Sequence, residues 1–302
     1  MGNSFLKRLP PLPDQFKSAL KDRVLIFDAD ILAYQVTATA KRLPTAIRNF
    51  QRGIQELMFL TQSSYARVHL TSQDSYKCGR HLIIASKPYQ GSRKGKDKPN
   101  LLEPLREAMV LEDNWLPQFE VMLHRELEAD DQCIIDSYYY KERGVVNVSD
   151  KDLRQTPYPI YEHRTGEVLT CDGVGELWWH ITEGGGRNLE GHGRIFFWAQ
   201  MLMGDTADDI RGLEQGYGKK YGAVNTYQVL HELKCENEIA NLVIDLYKSN
   251  DQNPYPEAYL LHMLRYASDS VFDMFDEIEW TNSNKEFLNE CEEREWFVEG
   301  DV

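Results

Sequence analysis

Carboxylates recur in this chain where apolar runs end. The run at 24–27 (Val-Leu-Ile-Phe) leads into Asp28, the run at 66–71 is followed by Asp74, and the run at 145–148 by Asp150. Glu128-Ala129-Asp130-Asp131 opens a segment of helical periodicity, Asp152 follows Asp150, and Gly204-Asp205 precedes Asp208 and Asp209. Carboxylates gathered in one pocket repel each other unless cations neutralise them. Hard oxygen donors of this kind suit Mg²⁺ or Mn²⁺. Two such ions about 4 Å apart can clamp a phosphodiester, generate hydroxide and stabilise the leaving oxygen. Neither the eight histidines nor the five scattered cysteines (Cys78, Cys133, Cys171, Cys235, Cys291) show metal-ligand spacing, and the cysteines read as free thiols.

Each acid alone has a plainer reading. A strand-end Asp is more often a helix cap or turn residue. Asp30 serves as the cap as well as Asp28, Asp74-Ser75 reads as a turn, residues 128–131 as first-turn electrostatics, and 149–152 as a solvated turn. Recurrence favours chemistry, because open parallel sheets bind ligands outside the carboxyl ends of their strands.

The elements that must position these acids are legible in outline. Continuous apolar runs at 24–27 and 145–148 read as strands buried on both faces. At 66–71, Val68 and Leu70 alternate with Arg67 and His69, which predicts a strand nearer the sheet edge. Residues 119–122 read as a short strand. Helical spacing marks 31–39, 45–62, 102–114, 126–141 and 195–202. Residues 160–163 and 167–170 flank Arg164-Thr165-Gly166 as a hairpin, and 184–193 reads as a flexible glycine-rich loop. Tyr138-Tyr139-Tyr140 and Trp178-Trp179 read as packing residues. An N-terminal arm at 1–22, an α/β core at 23–193 with a basic arch near 77–100, and a helical C-terminal domain at 194–302 are expected.

Net charge is −14 over 302 residues, which alone argues against nucleic acid. The charge is uneven. Residues 231–302 hold 18 acids against 5 Lys or Arg, whereas 77–98 hold 7 Lys or Arg against Asp97. No apolar run is long enough for a membrane span, no signal peptide is visible, and Leu6 breaks a myristoylation motif at Gly2. A cytoplasmic protein is expected.

In chain order, Phe27-Asp28-Ala29-Asp30, Asp74-Ser75, Tyr89-Gln90-Gly91-Ser92-Arg93-Lys94, Glu128-Ala129-Asp130-Asp131, Ser149-Asp150-Lys151-Asp152 and Gly204-Asp205-Thr206-Ala207-Asp208-Asp209-Ile210-Arg211-Gly212 form a specific combination. It resembles the flap endonuclease and 5′→3′ exonuclease family, most of all its short bacteriophage members. The resemblance implies a PIN-like α/β fold, a mostly parallel sheet flanked by helices. It also implies a helical C-terminal part with a helix–turn–helix-like DNA-binding module of the helix-hairpin-helix type, at 204–221. The implied activity is Mg²⁺-dependent hydrolysis of DNA at or near a 5′ end, nick, gap or flap, by two metals that Mn²⁺ can replace. It would serve phage DNA replication, repair, recombination or primer removal. RNA–DNA hybrids and replication proteins are further implied partners.

By the same resemblance, Asp28, Asp74, Glu128, Asp130, Asp131, Asp150, Asp152, Asp205 and Asp208 are the metal ligands. Arg93 is the arch arginine on the scissile phosphate, and Tyr89 stacks near the end nucleotide. Gln90 stands where the family commonly has lysine, and Lys87 or Lys94 can supply that charge. The arch would also use Lys96 and Lys98. Gly212, Gly216, Gly218, Lys219 and Lys220 would hold duplex DNA, with K⁺ at the hairpin; backbone N–H groups and lysines at a glycine-rich turn suit a phosphate. Two other classes stay open. A haloacid-dehalogenase-like phosphatase would use Asp28 as nucleophile and Asp30 as acid/base. A noncatalytic DNA-binding or replication protein would bind without cutting.

Overall fold

A computed structural model describes residues 19–85, 87–91, 97–182 and 184–298. Strands β1 (Leu20–Asp28), β2 (Ser63–Thr71), β3 (Phe119–His124), β4 (Gly144–Asn147), β5 (Ile160–Glu162) and β6 (Glu167–Leu169) form one sheet, in the order β3-β2-β1-β4-β5-β6. All neighbours are parallel except β5 and β6, which form the antiparallel hairpin expected around 164–166. The chain moves outward from β1 through β2 and β3, then returns to β1's other side with β4. The order therefore reverses between β1 and β4, and that crevice is where such sheets bind ligands.

The apolar runs sort onto two faces by strand alternation. Leu25 and Phe27 face α1 (Asp30–Thr39), α2 (Leu43–Thr61) and α3 (Leu102–Met109), whereas Val24 and Ile26 pack with Cys133 and Ile134 of α4 (Ala129–Tyr140). Helix α2 buries the stripe Ala46, Phe50, Ile54 and Met58, starts on Pro44 and stops at Gln62 in the left-handed region. Burying a side chain such as Phe50 stabilises by roughly 1.5–3 kcal/mol.

A third core lies in the C-terminal half. Helix α5 (Arg194–Met203) is buried on nearly every side through Ile195, Phe196, Phe197, Trp198 and Met201. Around it pack α6 (Gly222–Leu230), α7 (Glu236–Ser249), α8 (Tyr255–Leu261), α9 (Val271–Asp276) and α10 (Asn282–Glu292). The fold is thus a mixed α/β sheet flanked by helices, followed by C-terminal helices.

Several expectations change. Strand β2 is paired on both sides, one place in from the edge strand β3: His69 is buried because its ring meets Asp136 Oδ2 and His124 at 3.0 Å, and Arg67 pairs with Asp136 and Glu120. Strand β1 begins at Leu20, inside the expected arm; residues 1–18 lie outside the described ones. The glycine-rich 184–193 is no loop throughout, because β8 (Arg187–His192) pairs antiparallel with β7 (Glu176–Ile181). Helix α3 ends at Met109, and a separate 3-10 turn spans Glu112–Asn114. Glu128 stands before α4 as its N-cap rather than within a helix. Between α5 and α6, residues 204–221 carry an Asp205–Ile210 bridge and the two-residue strands β9 (Glu214–Gln215) and β10 (Lys219–Lys220).

Candidate active site

Asp28 ends β1, Asp150 follows β4, and the N-terminus of α4 brings Glu128 and Asp130 to the same crevice. Asp28 is buried, and its carboxyl is pushed well above the ordinary range by desolvation and then by Asp30, Asp150 and Glu128. Asp130 is raised likewise, by desolvation and then by Glu128, Asp131 and Asp28. Asp152 is raised by desolvation and then by Asp150, Asp205 and Asp208. Asp150 acts on both Asp28 and Asp152, so it links the acids into one rim.

The cap and ligand readings prove compatible. Asp28 Oδ1 accepts from Asp30 N at 3.0 Å, Asp150 Oδ1 from Asp152 N at 3.1 Å, and Asp205 Oδ1 from Ala207 N at 2.8 Å. In each, a backbone donor two residues on fixes one oxygen and aims the carboxylate.

The 128–131 half is braced by cations. Arg80 is 1% exposed and reaches Asp131 with two bonds of 2.7 Å, Glu128 at 3.1 Å and the His262 carbonyl at 2.9 Å. That pairing holds the Asp131 carboxyl below its usual value despite full burial. Lys77 Nζ meets Glu128 Oε1 at 3.0 Å, and the Tyr89 hydroxyl donates to Glu128 Oε2 at 2.8 Å. Lys77, Cys78 and Gly79 are consecutively left-handed, at φ 53°, 54° and 74°. That costs roughly 1–2 kcal/mol at each of the two non-glycine residues. The cost is repaid where Lys77 and Arg80 meet the acids.

In the other half lies an acid set with the spacing of a metal site. Oxygens of Asp152, Asp205 and Asp208 lie within 4.8 Å of one another, and all three residues are buried. Asp205 Oδ2 is buried without a hydrogen-bond partner. Gln200 of α5 donates to Asp152 Oδ1, and Lys151 Nζ lies 2.7 Å from Asp205 Oδ1. An all-carboxylate set with an orphaned oxygen, in which the Asp152 carboxyl is pushed high, fits a hard divalent cation.

The remaining candidates fall elsewhere. Asp74 is exposed and pairs with Arg125 at 2.7 Å. Tyr89 is partly buried with its hydroxyl on Glu128, and Gln90 donates its backbone N–H to the Asp208 carbonyl at 3.1 Å, tying this segment to the second acid set. Lys87 is exposed, 3.9 Å from Asp209, and Lys98 is exposed. Arg93, Lys94 and Lys96 lie outside the described residues. Gly212 is buried: a Cβ there would sit 2.3 Å from Gly204 N, so it serves the close approach of two backbone segments. Gly216, Gly218, Lys219 and Lys220 are exposed.

Sequence reading missed Arg80, Lys77, Lys151 and Gln200. Lys151 could have been flagged by its place between two acids; nothing local marks Arg80. Among the described residues no helix is long and apolar enough to cross a membrane.

No family model matches the chain, and no curated protein matches it. Among solved structures, the D15 protein of bacteriophage T5, co-crystallised with metal ions, is similar over 90% of this chain and 98% of that chain, at 16% identity and a TM-score of 0.52. The D15 flap endonuclease of the same phage, in a complex with DNA and metal ions, matches over 90% and 100%, at 17% identity and a TM-score of 0.45. On the first of these, the chain has the overall fold of a phage protein from the flap endonuclease and 5′-exonuclease family that its motifs resemble.

Proposed function

We propose that this protein is a Mg²⁺-dependent 5′→3′ exonuclease and flap endonuclease acting on DNA by a two-metal mechanism, in phage replication, recombination or primer removal. One observation carries the reading. Asp28, Asp130 and Asp152, from three separate segments, each sit among further carboxylates, and burial together with repulsion from those neighbours penalises their charge. Such an arrangement is costly unless cations offset it. Asp152, Asp205 and Asp208 would hold one ion, and Asp28, Glu128, Asp130 and Asp150 the other, with Asp131 and Asp74 as outer acids. Bound there, the ions would supply charge neutralisation of the phosphodiester and a water of lowered pKa.

The chain's own residues do the rest. Backbone N–H groups aim the carboxylates, and Arg80 and Gln200 fix Asp131, Glu128 and Asp152. Arg93, with Lys87, Lys94, Lys96 and Lys98, would steer the 5′ strand, while Tyr89 and Gln90 border it. The PIN-like core, the hairpin-type module at 204–221 and K⁺ on it belong to the same proposal. So do duplex contacts by Gly216, Gly218, Lys219 and Lys220, tolerance of RNA–DNA hybrids, and replication partners. A phosphatase reading is disfavoured because Asp30 is held by Arg106 at 2.6 Å and by Thr71 N, which removes it as a free acid/base.

The test is incubation of purified protein with 5′- and 3′-labelled duplex and flap DNAs, with and without Mg²⁺. Mg²⁺-dependent release from the 5′ side is expected. Cleavage from the 3′ side only, or binding without cleavage, refutes the proposal. Asp130→Asn should abolish cleavage while leaving DNA binding in Ca²⁺; full cleavage by this variant removes Asp130 from the ligand set.

A further inference from the structure

We propose that Lys151 is an exchangeable internal counter-ion: it neutralises Asp205 when the second cation site is empty, and a divalent cation displaces it toward the DNA backbone. This deepens the nuclease reading and rests on it.

The argument starts from charge. Asp152, Asp205 and Asp208 bring three buried carboxylates within 4.8 Å. Such a group needs a compensating cation. Lys151 lies between Asp150 and Asp152 in the turn after β4, and its ammonium sits 2.7 Å from Asp205 Oδ1. The same Asp205 is 1% exposed and keeps Oδ2 without a partner. One lysine therefore satisfies one oxygen of a pocket that a small divalent ion would satisfy from several sides at once. An incoming cation at this set takes the charge that the ammonium holds, and two cations cannot share the carboxylate at contact distance without repulsion.

Lys151 also has somewhere to go. It borders a cleft of about 560 Å³ that runs from Asp150 past Arg154 and Arg164. Its side chain keeps 37% exposure, so it is not sealed into the acid set. A flexible four-carbon stem can turn a hydrated point charge from carboxylate to phosphate at small cost. Asp131 differs in kind: its cation, Arg80, is 1% exposed and bidentate on it.

The experiment titrates Mn²⁺ into the full-length protein without DNA, by calorimetry, for wild type, Lys151→Met and Lys151→Arg, with thermal melts confirming that each is folded. Loss of the competing ammonium should tighten the weaker cation site roughly fivefold in Lys151→Met, the size of one partly exposed ion pair. Lys151→Arg should stay near wild type. Binding of a labelled flap DNA is then measured against salt in Ca²⁺ and in EDTA. Lys151→Met should lower the salt slope by about 0.9 in Ca²⁺, one phosphate contact, and leave it unchanged in EDTA. Unchanged or weaker Mn²⁺ binding in a folded Lys151→Met protein overturns the exchange. An unchanged slope in Ca²⁺ overturns the phosphate contact. The Mn²⁺ titration needs no cleavage, so an inactive protein that still shows the exchange removes the nuclease reading alone.

Discussion

The two halves of the acidic rim are built of the same residue type and solve the same electrostatic problem differently. At 128–131, Arg80, Lys77, the Tyr89 hydroxyl and an Asp–Glu cap pair surround the carboxylates, and the Asp131 carboxyl is held low. At 150–208, the Lys151 ammonium lies on Asp205 and the Gln200 amide on Asp152, Asp205 keeps one buried oxygen without a hydrogen-bond partner, and the Asp152 carboxyl is pushed high. In the first half Arg80 compensates Asp131 and braces Glu128, whereas Asp130 beside them is still pushed high by burial and by its neighbouring acids. In the second, the orphaned Asp205 oxygen and the close approach of Asp152, Asp205 and Asp208 form the set proposed to take a divalent cation. Acid count alone would rank the halves equal; the cations decide.

The largest expected effect breaks the first half. Arg80→Met strands Asp131 as a buried, unpaired charge. It should cost about 3–5 kcal/mol in denaturant unfolding, with or without divalent ions. A loss that Mg²⁺ restores would mean that Arg80 merely stands in for a metal.

Glu257 sharpens the comparison as a buried acid outside the rim. Desolvation in the C-terminal helices pushes its carboxyl up to about 8. Its folded pKa exceeds the unfolded one, so its contribution is fully present below the unfolded value and is lost as pH rises toward 8. Stability should therefore fall between about pH 4.5 and 8 by an amount on the order of 4 kcal/mol, and Glu257→Gln should flatten that slope. The slope should not respond to Mg²⁺. If divalent ions abolish it, Glu257 belongs to a cation site after all.

A somewhat smaller effect probes the second half directly. Divalent ion at a hundredfold its dissociation constant should stabilise the wild type by about 2.7 kcal/mol. Asp205→Asn keeps the bond to Ala207 N but should lose most of that gain in a thermal shift. Full retention would move the ion elsewhere. The smallest effect concerns Lys77, whose bond to Glu128 is partly exposed. Lys77→Gln should change stability by less than about 1 kcal/mol, because Arg80 and Tyr89 remain on the same carboxylate. A larger loss would show that the left-handed turn at 77–79, rather than Arg80, sets the position of Glu128.

By itself the sequence determined which segments become the strands of the main sheet and that three of them lead into carboxylates. Period and apolar continuity act locally, so 24–27 and 145–148 announce buried strands wherever they end up. It also determined the order of the motifs, which is what the resemblance rests on. Only the tertiary structure decided that β2 is internal, because His69 and Arg67 become buriable once α4 supplies Asp136 across the sheet face. It decided that 187–192 is a strand, because its partner is 176–181 rather than anything in its own glycine-rich composition. It also placed Arg80 on Asp131 across 51 residues of chain and Gln200 on Asp152 across 48. Compensation of buried charge depends on distances that only folding sets. For that reason the sequence could list the acids of this rim but could not say which of them were already paid for.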